Sequence, residues 1–106
     1  MSHDIEIAVL TAIFDARPGA EDALAATLAR YVVMTRRQPA CRNVDFAASI
    51  THGGRVVVIE KWESAGAAQA HLDSPLMTEM ASEAVQLVAR KPELDLYDPI
   101  SAYDLE

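Results

Sequence analysis

Residues 44–63 read Val-Asp-Phe-Ala-Ala-Ser-Ile-Thr-His-Gly-Gly-Arg-Val-Val-Val-Ile-Glu-Lys-Trp-Glu, and this stretch decides the fold. Side chains alternate in character over 44–50, and a run rich in valine follows over 55–63, which is typical of two strands. His52-Gly53-Gly54 lies between them and predicts a hairpin turn. The stretch therefore indicates an antiparallel strand pair in the middle of the chain.

Helix and strand patterns flank this hairpin on both sides. Before the hairpin, the sequence predicts a strand over 5–14 and a helix over 20–37 that Pro39 ends. After the hairpin, it predicts a short helix from the N-cap Ser64 to Leu72, and a second helix that begins at Ser74-Pro75 and has an apolar stripe to Val88. The last predicted element is a strand over 94–103. This order predicts an α+β, ferredoxin-like split βαβ fold, with a four-stranded antiparallel sheet and its helices on one face.

Composition limits the function classes. The chain of 106 residues fits one domain, 1–106, with a core over about 5–103. Its net charge of −7 disfavours nucleic acid and anionic membranes as partners. One cysteine excludes an internal disulfide. Neither a membrane-spanning run nor a signal peptide is recognisable, so we expect a cytoplasmic protein.

The face of the sheet that the helices leave open is expected to be apolar. The strand over 5–14 is apolar on both sides, and we expect Trp62 and Phe46 to add to this open face. Because a monomer rarely exposes so large an apolar surface, the sequence predicts a homodimer in which two sheets pack face to face.

Three residues are candidate catalytic groups. A strand period of two places Glu60 and Trp62 on one face, and His71 follows on the next helix. An indole can wall a flat aromatic substrate, and a histidine can move a proton near neutral pH. Each residue also has a structural alternative: core or interface packing for Trp62, an ion pair with Arg36 or a partner's arginine for Glu60, and helix packing for His71.

Other residues have less specific patterns. Phe46, Met77 and Met80 are candidate substrate contacts, and core packing is the alternative for the two methionines. Tyr31, Tyr97 and Tyr103 could each offer a phenol, and the sequence does not distinguish among them. No metal site is expected because the three histidines lack the spacing of metal ligands. Nucleotide-binding loops and the nucleophile elbow of hydrolases are not recognisable.

Several short motifs together resemble the antibiotic biosynthesis monooxygenase domain, of the dimeric α+β barrel superfamily. The resemblance covers about residues 5–100, and Ala40 stands where the family usually has glycine. The matching motifs are Pro18-Gly19, Thr35-Arg36, Pro39-Ala40-Cys41, Glu60-Lys61-Trp62, Ala70-His71-Leu72 and Ser74-Pro75. The resemblance implies a homodimer with a pocket between sheet and helices. It also implies oxidation of aromatic polyketides, anthrones or quinols by molecular oxygen, with no metal, flavin or haem cofactor.

The resulting hypothesis is a cofactor-independent monooxygenase whose partners are a small aromatic substrate and oxygen. Trp62 would wall the pocket, His71 would accept or relay the proton, and Glu60 would orient His71 or hold the polarity of the pocket. Two alternatives stay open at this point. One is an oxygen-independent isomerase or degradative enzyme for a small metabolite, and the other is a dimeric module that binds a small ligand without turnover.

Overall fold

The structure is a computed structural model, and it describes residues 7–100 of the chain. Within these residues it contains four strands and three helices. In chain order they are β1 (Ala8–Asp15), α1 (Glu21–Arg36), β2 (Cys41–Ala48), β3 (Arg55–Trp62), α2 (Ala65–Leu72), α3 (Pro75–Ala84) and β4 (Glu93–Tyr97). The predicted element order is therefore confirmed.

The four strands form one antiparallel sheet in the order β2-β3-β1-β4. This order is the ferredoxin-like arrangement, in which the first and third strands pair at the centre. Leu10 of β1 lies opposite Glu60 of β3, and Val44 of β2 lies opposite the same Glu60. Opposite residues share a face of the sheet, so Glu60 lies at the centre of the face that the helices cover.

Both short helices begin where the serine caps predict. The Ser64 hydroxyl accepts a hydrogen bond from the Ala67 amide, and the Ser74 hydroxyl accepts one from the Met77 amide. Each bond satisfies an amide that the first turn of a helix leaves without a partner. These caps fix where α2 and α3 start above the sheet.

Some predicted boundaries are wrong, for physical reasons that the structure shows. β2 begins at Cys41 rather than at residue 44, because the strand pairs with Trp62 across an irregularity between Cys41 and Asn43. α3 ends at Ala84, well before the predicted Val88. After this end the backbone turns to bond the last residues of β1, with the Ala89 amide donating to the Asp15 carbonyl.

Two other predictions were wrong or cannot be followed to their ends. Trp62 and Phe46 lie on the helix-covered face rather than on the open one, since they pair with the buried Ala8 and Val58. β4 ends at Tyr97, so residues 98–100 do not continue the predicted last strand, and Pro99 in this segment lacks the amide that strand pairing needs. The ends predicted at residues 5–6 and 101–103 lie outside the described residues. Among the helices that the structure describes, none is long and apolar enough to cross a membrane.

Candidate active site

Four polar side chains meet under the helices in one hydrogen-bonded group, which we call the buried network: Tyr31, Glu60, Trp62 and His71. The Tyr31 hydroxyl lies 2.5 Å from Glu60 Oε2 and 2.6 Å from His71 Nε2. The Trp62 indole N–H donates to Glu60 Oε1 at 2.9 Å. Tyr31 is thus the link between the carboxyl group and the imidazole.

Local sequence explains how each element presents its side chain. The two-residue period of β3 turns Glu60 and Trp62 to the same side. Tyr31 belongs to the buried stripe of α1, which repeats at helical spacing. His71 lies in the last turn of α2, and its ring stacks on Trp62 with 4.5 Å between the ring centroids. β3, α1 and α2 therefore each contribute side chains to the same site.

Burial sets the electrostatics of this group. None of the four residues is more than 3% exposed. Burial raises the pKa of Glu60, and hydrogen bonds from Tyr31 and Trp62 oppose that shift only in part. Burial also lowers the pKa of His71 to about 4. His71 is therefore neutral at neutral pH, and its 3.5 Å approach to Glu60 is a polar contact rather than an ion pair.

The hydrogen bonds assign the positions of the protons when Glu60 is ionised. Trp62 and Tyr31 both donate to the carboxylate, so the Tyr31 oxygen is left to accept from His71 Nε2–H. The neutral ring then carries no proton on Nδ1. Within residues 7–100, Nδ1 is buried and has no hydrogen-bond partner, a condition shared only by the Thr35 hydroxyl oxygen. The network thus ends at His71 Nδ1, a nitrogen that carries no proton and has no hydrogen-bond partner.

The structure brings together the three predicted catalytic residues, Glu60, Trp62 and His71. The alternative of an ion pair between Glu60 and Arg36 is wrong, because the Arg36 guanidinium donates to the Val44 carbonyl at 2.7 and 3.1 Å instead. Tyr31 is the member that sequence reasoning left undecided. Its place on the apolar stripe of α1 was the available signal, since a phenol there must find a buried partner.

Of the three predicted substrate contacts, only Met80 shares a space with a member of the network. Met77 and Met80 line a cavity of about 520 Å³ beneath α3, and no side chain of the network lines it. Phe46 lies on the edge strand β2 and is 37% exposed. Tyr31 and Met80 share the wall of a smaller space of about 230 Å³ between α1 and α3. The described residues contain no group of three or more His, Cys, Asp or Glu side chains that could hold a metal ion.

Comparison with known proteins places the chain in a family. The family model described as "Antibiotic biosynthesis monooxygenase" matches residues 7–83, which include the whole network. None of the curated proteins compared with the chain matches it.

Solved structures with the same fold include proteins from several bacteria. Rv0793 from Mycobacterium tuberculosis is 28% identical, with 90% of this chain and 96% of that one covered and a TM-score of 0.82. SO0527 from Shewanella oneidensis is 24% identical over 91% and 93% of the two chains, with a TM-score of 0.80. PA3566 from Pseudomonas aeruginosa is 20% identical over 94% and 100%, with a TM-score of 0.82. With the family model matching most of its length, the chain belongs to the antibiotic biosynthesis monooxygenase family.

Proposed function

We propose that the protein is a monooxygenase for a small, acidic aromatic compound such as an anthrone or a quinol, and that the buried network starts the reaction by removing a proton. The observation that carries this proposal is the bare Nδ1 of His71 at one end of a chain of hydrogen bonds that ends on Glu60. A proton can enter at Nδ1 without breaking any existing bond.

The pKa shifts indicate the direction in which a proton moves along these hydrogen bonds. A proton taken up at Nδ1 displaces the Nε2 proton to Tyr31, which passes its own proton to Glu60 Oε2. His71, with a pKa of about 4, is a poor place for an extra proton to rest. Glu60, with a raised pKa, holds a proton more readily than an ordinary glutamate. His71 therefore acts as the entry, Tyr31 as the link and Glu60 as the acceptor.

The oxygen chemistry then balances without another reductant. Deprotonation of an activated CH₂ group gives a carbanion, which passes one electron to oxygen, and the two radicals combine to a peroxide. The peroxide takes the stored proton back from Glu60. Loss of water from the hydroperoxide leaves a carbonyl group, so R₂CH₂ and O₂ become R₂C=O and H₂O. The negative charge moves from Glu60 to the substrate and back, so the buried charge stays constant.

Access requires a movement, because the network is closed in this structure. α2 has only eight residues, of which Ala68 and His71 are buried and Ala67 and Leu72 are partly buried against the core. An element with so few buried contacts opens at a low free-energy cost. We propose that α2 moves outward to admit the aromatic ring beside His71, and that its return excludes water during the reaction.

Oxygen uptake in the presence of anthrones and naphthoquinols tests the proposed function. We expect uptake above background with the wild type, and a fall of about a hundredfold or more in His71→Ala because the proton entry is lost. His52→Ala is the matched control, since His52 lies in the exposed turn before β3, and should keep the wild-type rate. Absence of uptake with every substrate, or equal rates in the two variants, would contradict the proposal.

We also propose that two copies pair through the open face of the sheet. Val9, Ile13 and Val57 are half-buried on that face in a single chain, and Ile59 is 39% exposed. Light scattering is expected to give about twice the chain mass of 11.5 kDa. Ile59→Lys should shift the protein to the monomer, while Ile50→Lys in the hairpin turn should not. A monomeric wild type would exclude this pairing.

A further inference from the structure

One buried hydroxyl group on α1 takes no part in the proposed relay. Thr35 is 0% exposed and belongs to the buried stripe of α1. Within residues 7–100, its hydroxyl oxygen makes no hydrogen bond. A buried hydroxyl without a partner lowers the stability of a fold, and valine has nearly the same shape without a polar group. The presence of threonine here therefore calls for a physical reason.

The helix places Thr35 beside Tyr31 of the buried network. Thr35 follows Tyr31 by one turn of α1, and side chains with this spacing lie next to each other on one face. Both side chains are buried. Burial and the Glu60 carboxylate raise the pKa of Tyr31, and the Thr35 hydroxyl acts against them. The hydroxyl is thus close enough to the phenol to favour negative charge on the phenol oxygen.

The phenol oxygen of Tyr31 can still accept one more hydrogen bond. A hydroxyl group donates one hydrogen bond and accepts up to two. Tyr31 donates to Glu60 Oε2 and accepts from His71 Nε2, so one acceptor position is unused. In the part of the chain that the structure describes, no acceptor holds the Thr35 hydroxyl, so its hydrogen can turn about the C–O bond. An unused donor and an unused acceptor therefore lie side by side.

The proposed relay creates charge at this oxygen. If the Tyr31 proton leaves for Glu60 before the His71 proton arrives, the phenol oxygen is negative in the interval. Negative charge in a buried site is costly unless a donor is already in place. The His71 proton cannot fill this role, because it is the proton that moves. Thr35 keeps its own proton throughout, so its hydroxyl can stabilise the charge without taking part in the transfer.

We propose that Thr35 is a positioning residue of the relay, whose hydroxyl donates a hydrogen bond to the Tyr31 oxygen and strengthens it while the proton passes. This inference rests on the proposed function, to which it adds a residue that acts only through Tyr31. The hydrogen bond itself does not require an oxygenase reaction, so it can also be tested in the resting protein.

Thr35→Val tests the role in turnover, because valine keeps the shape and removes the donor. We expect the turnover number of oxygen consumption to fall about tenfold, the size of one neutral hydrogen bond, with the apparent KM within about twofold. Thr35→Ser restores the donor and should recover most of the rate. In a Tyr31→Phe background, Thr35→Val should cause no further loss.

Thr27→Val is the matched control for this variant. Thr27 lies on the same helix and is 6% exposed, but its hydroxyl accepts from Arg30 rather than facing the network. The control also places valine in the buried stripe of α1, and it should keep the wild-type turnover number within about twofold.

Urea unfolding supplies a measurement that is independent of turnover. Thr35→Val should lower the urea midpoint of the wild type, because the hydrogen bond to Tyr31 is lost. It should raise the midpoint of Tyr31→Phe, because the hydroxyl has no acceptor there and its removal is favourable. This reversal supports the bond whether or not oxygen is consumed, so failure of the oxygenase is not confused with failure of this contact. Equal midpoint shifts in the two backgrounds, or undiminished turnover in Thr35→Val, would overturn the proposal.

Discussion

Glu60→Gln is expected to lower the turnover number of oxygen consumption by about a hundredfold or more, which is the usual contribution of a positioned general base. Glutamine keeps the size of the side chain and an oxygen that can accept the bond from the Trp62 indole. It cannot take up the proton that Tyr31 passes on, so the relay has no acceptor. We expect little change in the apparent KM, because binding of the aromatic ring does not depend on the charge of a residue that is 1% exposed.

Glu63→Gln is the matched control for this prediction. Glu63 lies three residues further along the chain and is exposed. Its replacement removes the same charge outside the network and should leave the turnover number unchanged. Tyr31→Phe is an independent test, since it keeps the ring and removes the hydroxyl group that joins Glu60 to His71. This variant should lose as much activity as Glu60→Gln. A fully active Glu60→Gln protein would show that the proton goes elsewhere.

The second large effect concerns stability in acid. The pKa of His71 is about 4 in the folded chain, against an ordinary value of 6.5. The folded state therefore binds fewer protons than the unfolded state between these values, and the stability due to His71 is lost as the pH falls from 6.5 through 4. The shift corresponds to about 3 kcal/mol of the free energy of unfolding.

Urea unfolding of the wild type and of His71→Gln at pH 7, 5.5 and 4 measures this loss. Relative to the variant, the wild type should lose about 3 kcal/mol across this range. Glu60 has the opposite effect, because its raised pKa lowers the free energy of unfolding as the pH rises. Both proteins retain Glu60, so the difference between them cancels most of this effect. His52→Gln, at an exposed histidine, should follow the wild type. A constant difference between wild type and His71→Gln would mean that His71 does not titrate abnormally.

The features that depend on local periodicity could be predicted from the sequence. The shared face of Glu60 and Trp62 follows from the two-residue repeat of a strand. The starts of α2 and α3 follow from a serine hydroxyl that can cap a free amide. These features involve only residues close together in the chain, so a local pattern is sufficient to find them.

The features that depend on contacts between distant elements could not be predicted in the same way. The partner of Glu60 proved to be Tyr31, 29 residues earlier, and not Arg36. Both lie on α1, and only the packing of that helix on the sheet decides which one reaches the carboxyl group. The sequence does not distinguish the two faces of the sheet for Trp62, because a large aromatic residue suits an interface as well as a core. The early end of α3 depends on backbone bonds to β1, which the apolar stripe does not reveal.

The proposed reaction depends above all on His71 Nδ1, which the buried network leaves free to accept a proton. Nitrogen-15 NMR of the histidine ring measures this directly at pH 7, with His71→Gln identifying the signal among the three histidines of the chain. The network predicts a neutral ring with the proton on Nε2 and none on Nδ1, and a ring that stays neutral on acidification until the pH approaches about 4. A charged ring at pH 7, or a neutral ring with its proton on Nδ1, would contradict the relay.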